Sequence, residues 1–332
     1  MRLLFLVEAG KSFGMGHYKR CLALAGAARK RGATAQFIIK TDSESNDWED
    51  VLFSTTDKQD LLERLQTLEE NYKWVIADGY GLPVDSIKGM QGSFFDRLMV
   101  LDDYPFRSIS ADVFLNQNAT NLRSYAILNL VVSARTLLLG PEFALVTPEF
   151  HPTPYDGNLR KVLVTFGSVD KYNRTQKVLQ TLVESFPELE VHVILGQYYS
   201  FDRLIRKNFE PHCKFLTGLE DISDQIKWAD LVISSSGSTA WQVCASYRPL
   251  IAVQTIANQQ SVQETLSFNN AAICLDAASQ IDPFETGVAL VKGIKELNRD
   301  ALIRFAKNGA SLVDGRGIER TLDVILNEGH WT

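Results

Sequence analysis

The chain has 332 residues, with 34 Lys+Arg against 40 Asp+Glu for a formal net charge of −6, and 45% of its residues are hydrophobic. This is the composition of a folded globular protein, and at this length two cores are expected rather than one. No Lys/Arg run would neutralise a string of phosphates, which argues against a nucleic-acid partner, and no apolar run approaches the roughly 20 residues of a membrane helix.

Residues 3–7 predict a buried strand, too short for a signal-peptide core and turning charged at Glu8. A helix is expected over residues 17–31, where Cys21, Leu22, Leu24, Ala25 and Ala28 recur at three- and four-residue spacing and Gly32 suits the helix end. Strands follow at 34–39, 74–77, 97–101, near 113–115 and near 136–139, with a helix at 58–70. Such alternation predicts parallel pairing in a doubly wound sheet. Residues 140–158 break the pattern with Pro141, Pro148, Pro152 and Pro154, and read as an interdomain linker. Strands then resume at 161–166, 190–195, 214–216, 231–234 and 250–253, with helices between them, the first at 173–185. Helices near 283–297, 300–312 and 315–326 close the chain. The expected division is a first domain over 1–142, a linker over 143–158 and a second domain over 159–332 that includes the closing helices. Cys21, Cys213, Cys244 and Cys274 lie far apart without metal-type spacing, so buried thiols of a cytoplasmic protein are expected.

Two tempting motifs fail on spacing. Gly10-Lys11-Ser12 looks like the end of a P-loop, but the required first glycine falls at Phe5; Gly14-x-Gly16 lacks the third glycine of a dinucleotide fingerprint, which falls at Lys19. Neither an NTPase nor a nicotinamide enzyme is supported. What remains is Gly14-Met15-Gly16-His17-Tyr18-Lys19-Arg20, where glycines allow close backbone approach and His17 falls on the first helical turn. That places it at the carboxyl edge of the first strand, where open α/β sheets bind ligands. The positive helix end disfavours imidazolium, so a neutral, proton-accepting ring is expected there. A helix-capping histidine is the plainer alternative.

A second constellation, Ser234-Ser235-Ser236-Gly237-Ser238-Thr239-Ala240-Trp241-Gln242, follows a strand and opens a helix, the arrangement that holds a pyrophosphate. Phe166-Gly167-Ser168-Val169-Asp170 occupies the equivalent place after the first strand of the second half, and Asn258-Gln259 offers amides for sugar hydroxyls. Polar loops at strand ends in both halves describe a cleft. Asp78-Gly79-Tyr80-Gly81-Leu82 either lines it or forms a capped turn, and Asn116-Gln117-Asn118 either meets ligand or closes a loop. Asp102-Asp103 lacks a third ligand for a metal. His151, His192, His212 and His330 receive no role.

Gly14-x-Gly16-His17-x-x-Arg20-Cys21-Leu22-x-Leu24-Ala25 resembles the opening of the UDP-sugar hydrolases of pseudaminic acid biosynthesis and of the related spore-coat polysaccharide glycosyltransferase-like proteins. Further similarities follow in order: Asp78-x-Tyr80-Gly81-Leu82, Asp102-Asp103, Leu115-Asn116-x-Asn118-Ala119, Gly140-Pro141-x-Phe143-Ala144-Leu145, Glu149-Phe150, Phe166-Gly167-x-x-Asp170, Gly237-Ser238-Thr239, Asn258-Gln259 and Asp314-Gly315-x-Gly317. The resemblance covers nearly the whole chain. It implies a GT-B fold, α/β, with two Rossmann-like doubly wound domains facing a cleft, and neither metal nor cofactor. It implies His17 as the base, with Gly14, Gly16, Arg20, Asp78, Tyr80, Asn116, Asn258 and Gln259 around the substrate. UDP is implied to lie on the second domain against Gly167, Ser168, Leu219, Ser236, Gly237, Ser238, Thr239 and Gln242.

The chain departs from that family in carrying Gln242 where Glu is usual, and Gly167-Ser168-Val169-Asp170-Lys171 where Gly-Gly-Ser-Asp-Pro is usual. A neutral amide makes weaker bonds to ribose hydroxyls than a carboxylate. The expected activity is hydrolysis of a UDP-activated amino or deoxy sugar, releasing UDP with anomeric inversion. The alternatives are an inverting glycosyltransferase and a non-catalytic nucleotide-sugar binder.

Overall fold

Leu3, Leu4, Phe5, Leu6 and Val7 have no exposed surface at all, so β1 (Arg2–Glu8) is covered on both faces, as the central strand of a parallel sheet must be. In this computed structural model, which describes residues 1–42, 48–103, 107–119, 122–276 and 283–326, β1 is flanked by β2 (Thr34–Lys40) and β4 (Tyr72–Asp78). With β3 (Val51–Thr55), β5 (Phe95–Leu101), β6 (Ile109–Asn116) and β7 (Val132–Leu139) they form a seven-stranded parallel sheet in the order β3-β2-β1-β4-β5-β6-β7.

Alternate residues of β1 point to opposite faces. Leu3, Phe5 and Val7 pack with Cys21, Leu24, Ala25 and Ala28 of helix α1 (Gly16–Lys30). Leu4 and Leu6 share the other layer with Leu61 and Leu65 of α2 (Lys58–Gln66) and Val84 and Ile87 of α3 (Val84–Gly89). Helix α4 (Leu122–Val131) precedes β7.

The second half repeats the plan. Strands β8 (Lys161–Thr165), β9 (Glu190–Ile194), β10 (Cys213–Leu216), β11 (Leu231–Ser235), β12 (Leu250–Gln254) and β13 (Ile273–Asp276) form a six-stranded parallel sheet in the order β10-β9-β8-β11-β12-β13. Its helices are α5 (Arg174–Ser185), α6 (Asp202–Phe209), α7 (Ser223–Trp228), α8 (Ser238–Ala245), α9 (Gln260–Phe268), α10 (Pro283–Lys295) and α11 (Arg299–Leu312). In both sheets the strand order reverses beside the first strand, between β1 and β4 and between β8 and β11. Those are the switch points where neighbouring loops part and leave room for a ligand.

The compact units are Met1–Thr147 with the C-terminal segment from Arg316, and Pro148–Gly315. The last helix, α12 (Gly317–Leu326), therefore packs with the first unit, where the expected bounds put it in the second. Ile318, Leu322 and Ile325 lie in the core formed by β1 and α1, and Arg320 Nη1 donates to the Glu142 carbonyl at 2.8 Å. A Cβ at Gly317 would stand 2.2 Å from the Ala144 oxygen, so only glycine allows this crossing. The proline-rich segment from Pro148 onward belongs to the second unit.

Candidate functional site

The switch point of the first sheet holds a buried charged cluster. Register places Asp78, the last residue of β4, beside Val7 of β1. Helix α1 starts at Gly16, one residue before the expected start, which puts His17 and Arg20 on one face of its first turns. His17 Nδ1 lies 2.6 Å from Asp78 Oδ1. Arg20 Nε and Nη2 donate to Asp78 Oδ2 and Oδ1, each at 2.6 Å, and its Nη1 donates to Asp103 Oδ2 at 2.5 Å. The Cys21 thiol faces Asp78 Oδ2 at 3.4 Å, and the Tyr80 ring stands edge-on to His17 with centroids 5.0 Å apart.

Electrostatics fix the protonation pattern. Burial alone would raise the Asp78 pKa, but the Arg20 guanidinium and the His17 contact outweigh it and hold the carboxyl well below the usual carboxylate range. Arg20 is likewise disfavoured as a cation by burial, yet Asp103 and Asp78 push its pKa well above the usual value. An ionised carboxylate only accepts, so His17 Nδ1 carries a hydrogen toward Asp78, and in the neutral ring that tautomer leaves the lone pair on Nε2. Arg20 Nη2 also approaches Nδ1, at 3.2 Å, but the shorter carboxylate contact decides the tautomer.

The structure thus gives Arg20 and Asp78, expected around the substrate, an internal task. Asp78 has no exposed side-chain surface and Arg20 only 4%. Together they orient the ring that is itself within reach of solvent. Gly14, with a positive φ of 75°, precedes them in the loop after β1. Glu8, which carried no functional signal, ends β1 buried, accepting from Lys40 Nζ at 2.7 Å and from the Gly81 amide at 2.8 Å; it anchors the loop that carries Tyr80. Asn116 uses its side chain to accept from the Asn118 amide at 2.9 Å, and Gln117 accepts from the Leu145 amide, so this triplet closes a loop. The acidic pair is divided between two arginines, Asp103 to Arg20 and Asp102 to Arg107 at 4.0 Å. His330 lies outside the described residues.

At the switch point of the second sheet, the loops after β8 and β11 lie on neighbouring strands. The two helix starts differ. Asp170 accepts from the Arg174 and Thr175 amides, each at 2.9 Å, and from the Thr175 hydroxyl at 2.6 Å, so a carboxylate already occupies the N-terminus of α5. Gly167 and Ser168 lie well before that helix and pack against the next loop. The Tyr198 amide donates to the Ser168 carbonyl, and a Cβ at Gly196 would stand 2.1 Å from the Gly167 oxygen. Helix α8 starts after Gly237 with no side-chain cap, and the half-buried Ser238 and Thr239 form its first turn. Gln242, also half-buried, follows Ser238 at i+4 and Thr239 at i+3, on the same face.

Other expected contacts are turned inward. The fully buried Ser236 hydroxyl accepts from Gln263 Nε2 at 2.5 Å. Gln259 Oε1 accepts from the Thr255 amide at 2.8 Å and so ties the turn that presents the half-buried Asn258. Leu219 is half-buried in the loop between β10 and α7. The four cysteines form no disulfide; burial pushes the Cys213 thiol up to about 11 and those of Cys244 and Cys274 up to about 12, which suits packing rather than chemistry.

Residues 161–316 match the family model of the glycosyltransferase family 28 C-terminal domain. Over 262 residues the chain is 24% identical to the uncharacterized protein MJ1062 of Methanocaldococcus jannaschii, covering 73% of this chain and 53% of that protein. The chain therefore spans about half the length of the curated relative it matches. Among solved structures it is similar to MurG of Acinetobacter baumannii, with a TM-score of 0.63 and 14% identity over 98% of this chain and 100% of that one. It is also similar to UDP-GlcNAc 2-epimerase of Neisseria meningitidis bound to UDP-GlcNAc, with a TM-score of 0.66 and 8% identity over 99% and 100%. Anabaena Alr3699/HepE in complex with UDP gives 0.60 and 13% over 98% and 100%. At these identities the likeness shows the fold, two Rossmann-like parallel-sheet domains of the GT-B type. No described helix is long and apolar enough to cross a membrane.

Proposed function

We propose that the protein hydrolyses a UDP-activated amino or deoxy sugar, with the first unit supplying the base and the second holding the nucleotide. The observation that carries this reading is the His17–Asp78–Arg20 cluster at the first switch point. Water attacks the anomeric carbon as His17 Nε2 takes its proton; the bond to the UDP oxygen breaks, and attack opposite the leaving group inverts the anomeric centre. Asp78 keeps the ring in the required tautomer and stabilises the imidazolium that forms, while Arg20 keeps Asp78 ionised.

On the second unit, the uncapped start of α8 is the better seat for the pyrophosphate, because the N-terminus of α5 is filled by Asp170. Its fixed donors would stabilise charge developing on the leaving UDP. The solved relatives bound to UDP and UDP-GlcNAc support a uridine nucleotide as ligand. A second reading, an inverting glycosyltransferase with a sugar hydroxyl in place of water, is favoured by the glycosyltransferase family match of the second half.

The test is UDP release in water by the parent protein and by His17→Asn. Asn holds a hydrogen bond but accepts no proton, so kcat should fall by roughly 10²–10⁴, about 3–5 kcal/mol of barrier, with UDP affinity unchanged. Near-full turnover in a folded variant would reduce His17 to a structural role.

A further inference from the structure

At the switch point of the second sheet, one side chain has its acceptor committed and its donor idle. Gln259 Oε1 accepts from the Thr255 amide at 2.8 Å and lies 3.2 Å from the Thr255 hydroxyl. A backbone amide only donates, so the oxygen must face Thr255 and the NH2 is turned the opposite way. Nε2 finds no acceptor among the described residues, yet it is not sealed from solvent, although Gln259 as a whole is only 9% exposed. The turn needs only the acceptor, so the donor is surplus to folding. Gly237 marks where it points: a Cβ there would stand 3.9 Å from Nε2 and, apart from its chain neighbours, would meet nothing else within 4 Å. The space over the uncapped start of α8 is therefore open, with this amide at its wall. Gly237 has an extended backbone with φ of −108°, so neither its angles nor crowding within the protein calls for glycine. A bare backbone beside an open space suits the close approach of a ligand.

We propose that Gln259 Nε2 donates to an oxygen of the nucleotide's diphosphate, beside the backbone amides that open α8, and that Gly237 stays bare so that a phosphate can close on the chain. This rests on the reading that the second unit holds a uridine nucleotide. Amides at a helix start attract the anion, and a donor already oriented by Thr255 loses little freedom in joining them. The same donor would meet the charge that develops on UDP as its bond to the sugar breaks. An amide that the sequence pattern offers to sugar hydroxyls thus serves the leaving group instead.

The experiment is a ligand-observed NMR titration of the full chain, Gln259→Glu and Gly237→Ala, each with UDP and with uridine at pH 7. Glu keeps the oxygen that Thr255 needs but places a second, charged oxygen where the NH2 stood. Its UDP affinity should fall about tenfold to a hundredfold from the parent's, with that for uridine changed less than about twofold. Gly237→Ala fits the free protein, so it should keep the parent's thermal transition and lose a similar factor on UDP alone. An equal loss on UDP and uridine in Gln259→Glu would mean that Gln259 only ties its turn, and would overturn the proposal. So would a UDP affinity that either variant leaves unchanged. Should Gln259→Glu fail to fold, Gln259→Met, which has similar reach and neither donor nor charge, is read in the same way. A parent that binds UDP no more tightly than uridine would overturn the proposal together with the nucleotide reading. A parent that prefers UDP, with variants that fail these expectations, refutes this contact alone. None of these readouts needs turnover, so loss of the hydrolase reading would leave the test standing.

Discussion

Asp78 is the residue on which the first site depends. It is wholly buried with Arg20 and His17 as partners, so removing its charge leaves a buried guanidinium short of compensation. Asp78→Asn should cost about 3–5 kcal/mol of stability at pH 7, measured by denaturant unfolding. Because the folded-state pKa is depressed, the carboxylate's contribution is present above the unfolded value near 3.9 and is lost as pH falls below it. The parent protein should therefore lose stability in acid below about pH 4, and Asp78→Asn should show a shallower loss there. Equal stability of the two proteins at pH 7 would contradict the account. At this scale the place of His17, on the first turn of α1 just after the first strand, was legible. Its partners were not: that Arg20 reaches inward to Asp78 and Asp103 follows from the register of β1, β4 and β5, which no local pattern encodes.

Elements were legible where they are long and buried. The central strands and α1 are visible as apolar runs and helical spacing, and their observed ends lie close to those expected. The edges were not: β3, with alternating partial exposure, and β13, of four residues, have no expected counterpart, since short edge strands owe their existence to a neighbour rather than to their own pattern. Helix α12 was expected at its place in sequence but with the other unit, and nothing in its periodicity says which core receives Ile318, Leu322 and Ile325. Leu322→Ala should leave a cavity in the first unit and cost about 2–5 kcal/mol, read from thermal or denaturant unfolding. Hydrogen exchange should show the loosening on β1 and α1, with β8 and β11 unaffected; loosening confined to the second unit would contradict the packing. The helix starts teach a similar lesson. Gly167-Ser168 and Ser236-Gly237 look equivalent in sequence, yet Asp170 fills one helix end and leaves the other uncapped.

For the whole molecule, the alternation of strands and helices with one proline-rich break was enough to indicate two Rossmann-like units, and the solved relatives share that fold across almost the entire chain. Substrate identity was not legible, because which loop side chains turn inward and which stay open to a ligand is decided by contacts that only folding makes, as at Asp78 and Gln259. The proposed chemistry needs a base and fixed donors, so turnover should persist after dialysis against EDTA; loss restored by a divalent ion would require a different mechanism. Hydrolysis is tested by following a UDP-sugar with the protein by proton NMR in water without an added acceptor. UDP should appear together with a free sugar that first forms as the anomer opposite to the substrate's. A UDP-sugar that stays intact until a sugar acceptor is supplied, or that is converted to its 2-epimer with UDP still attached, would contradict hydrolysis.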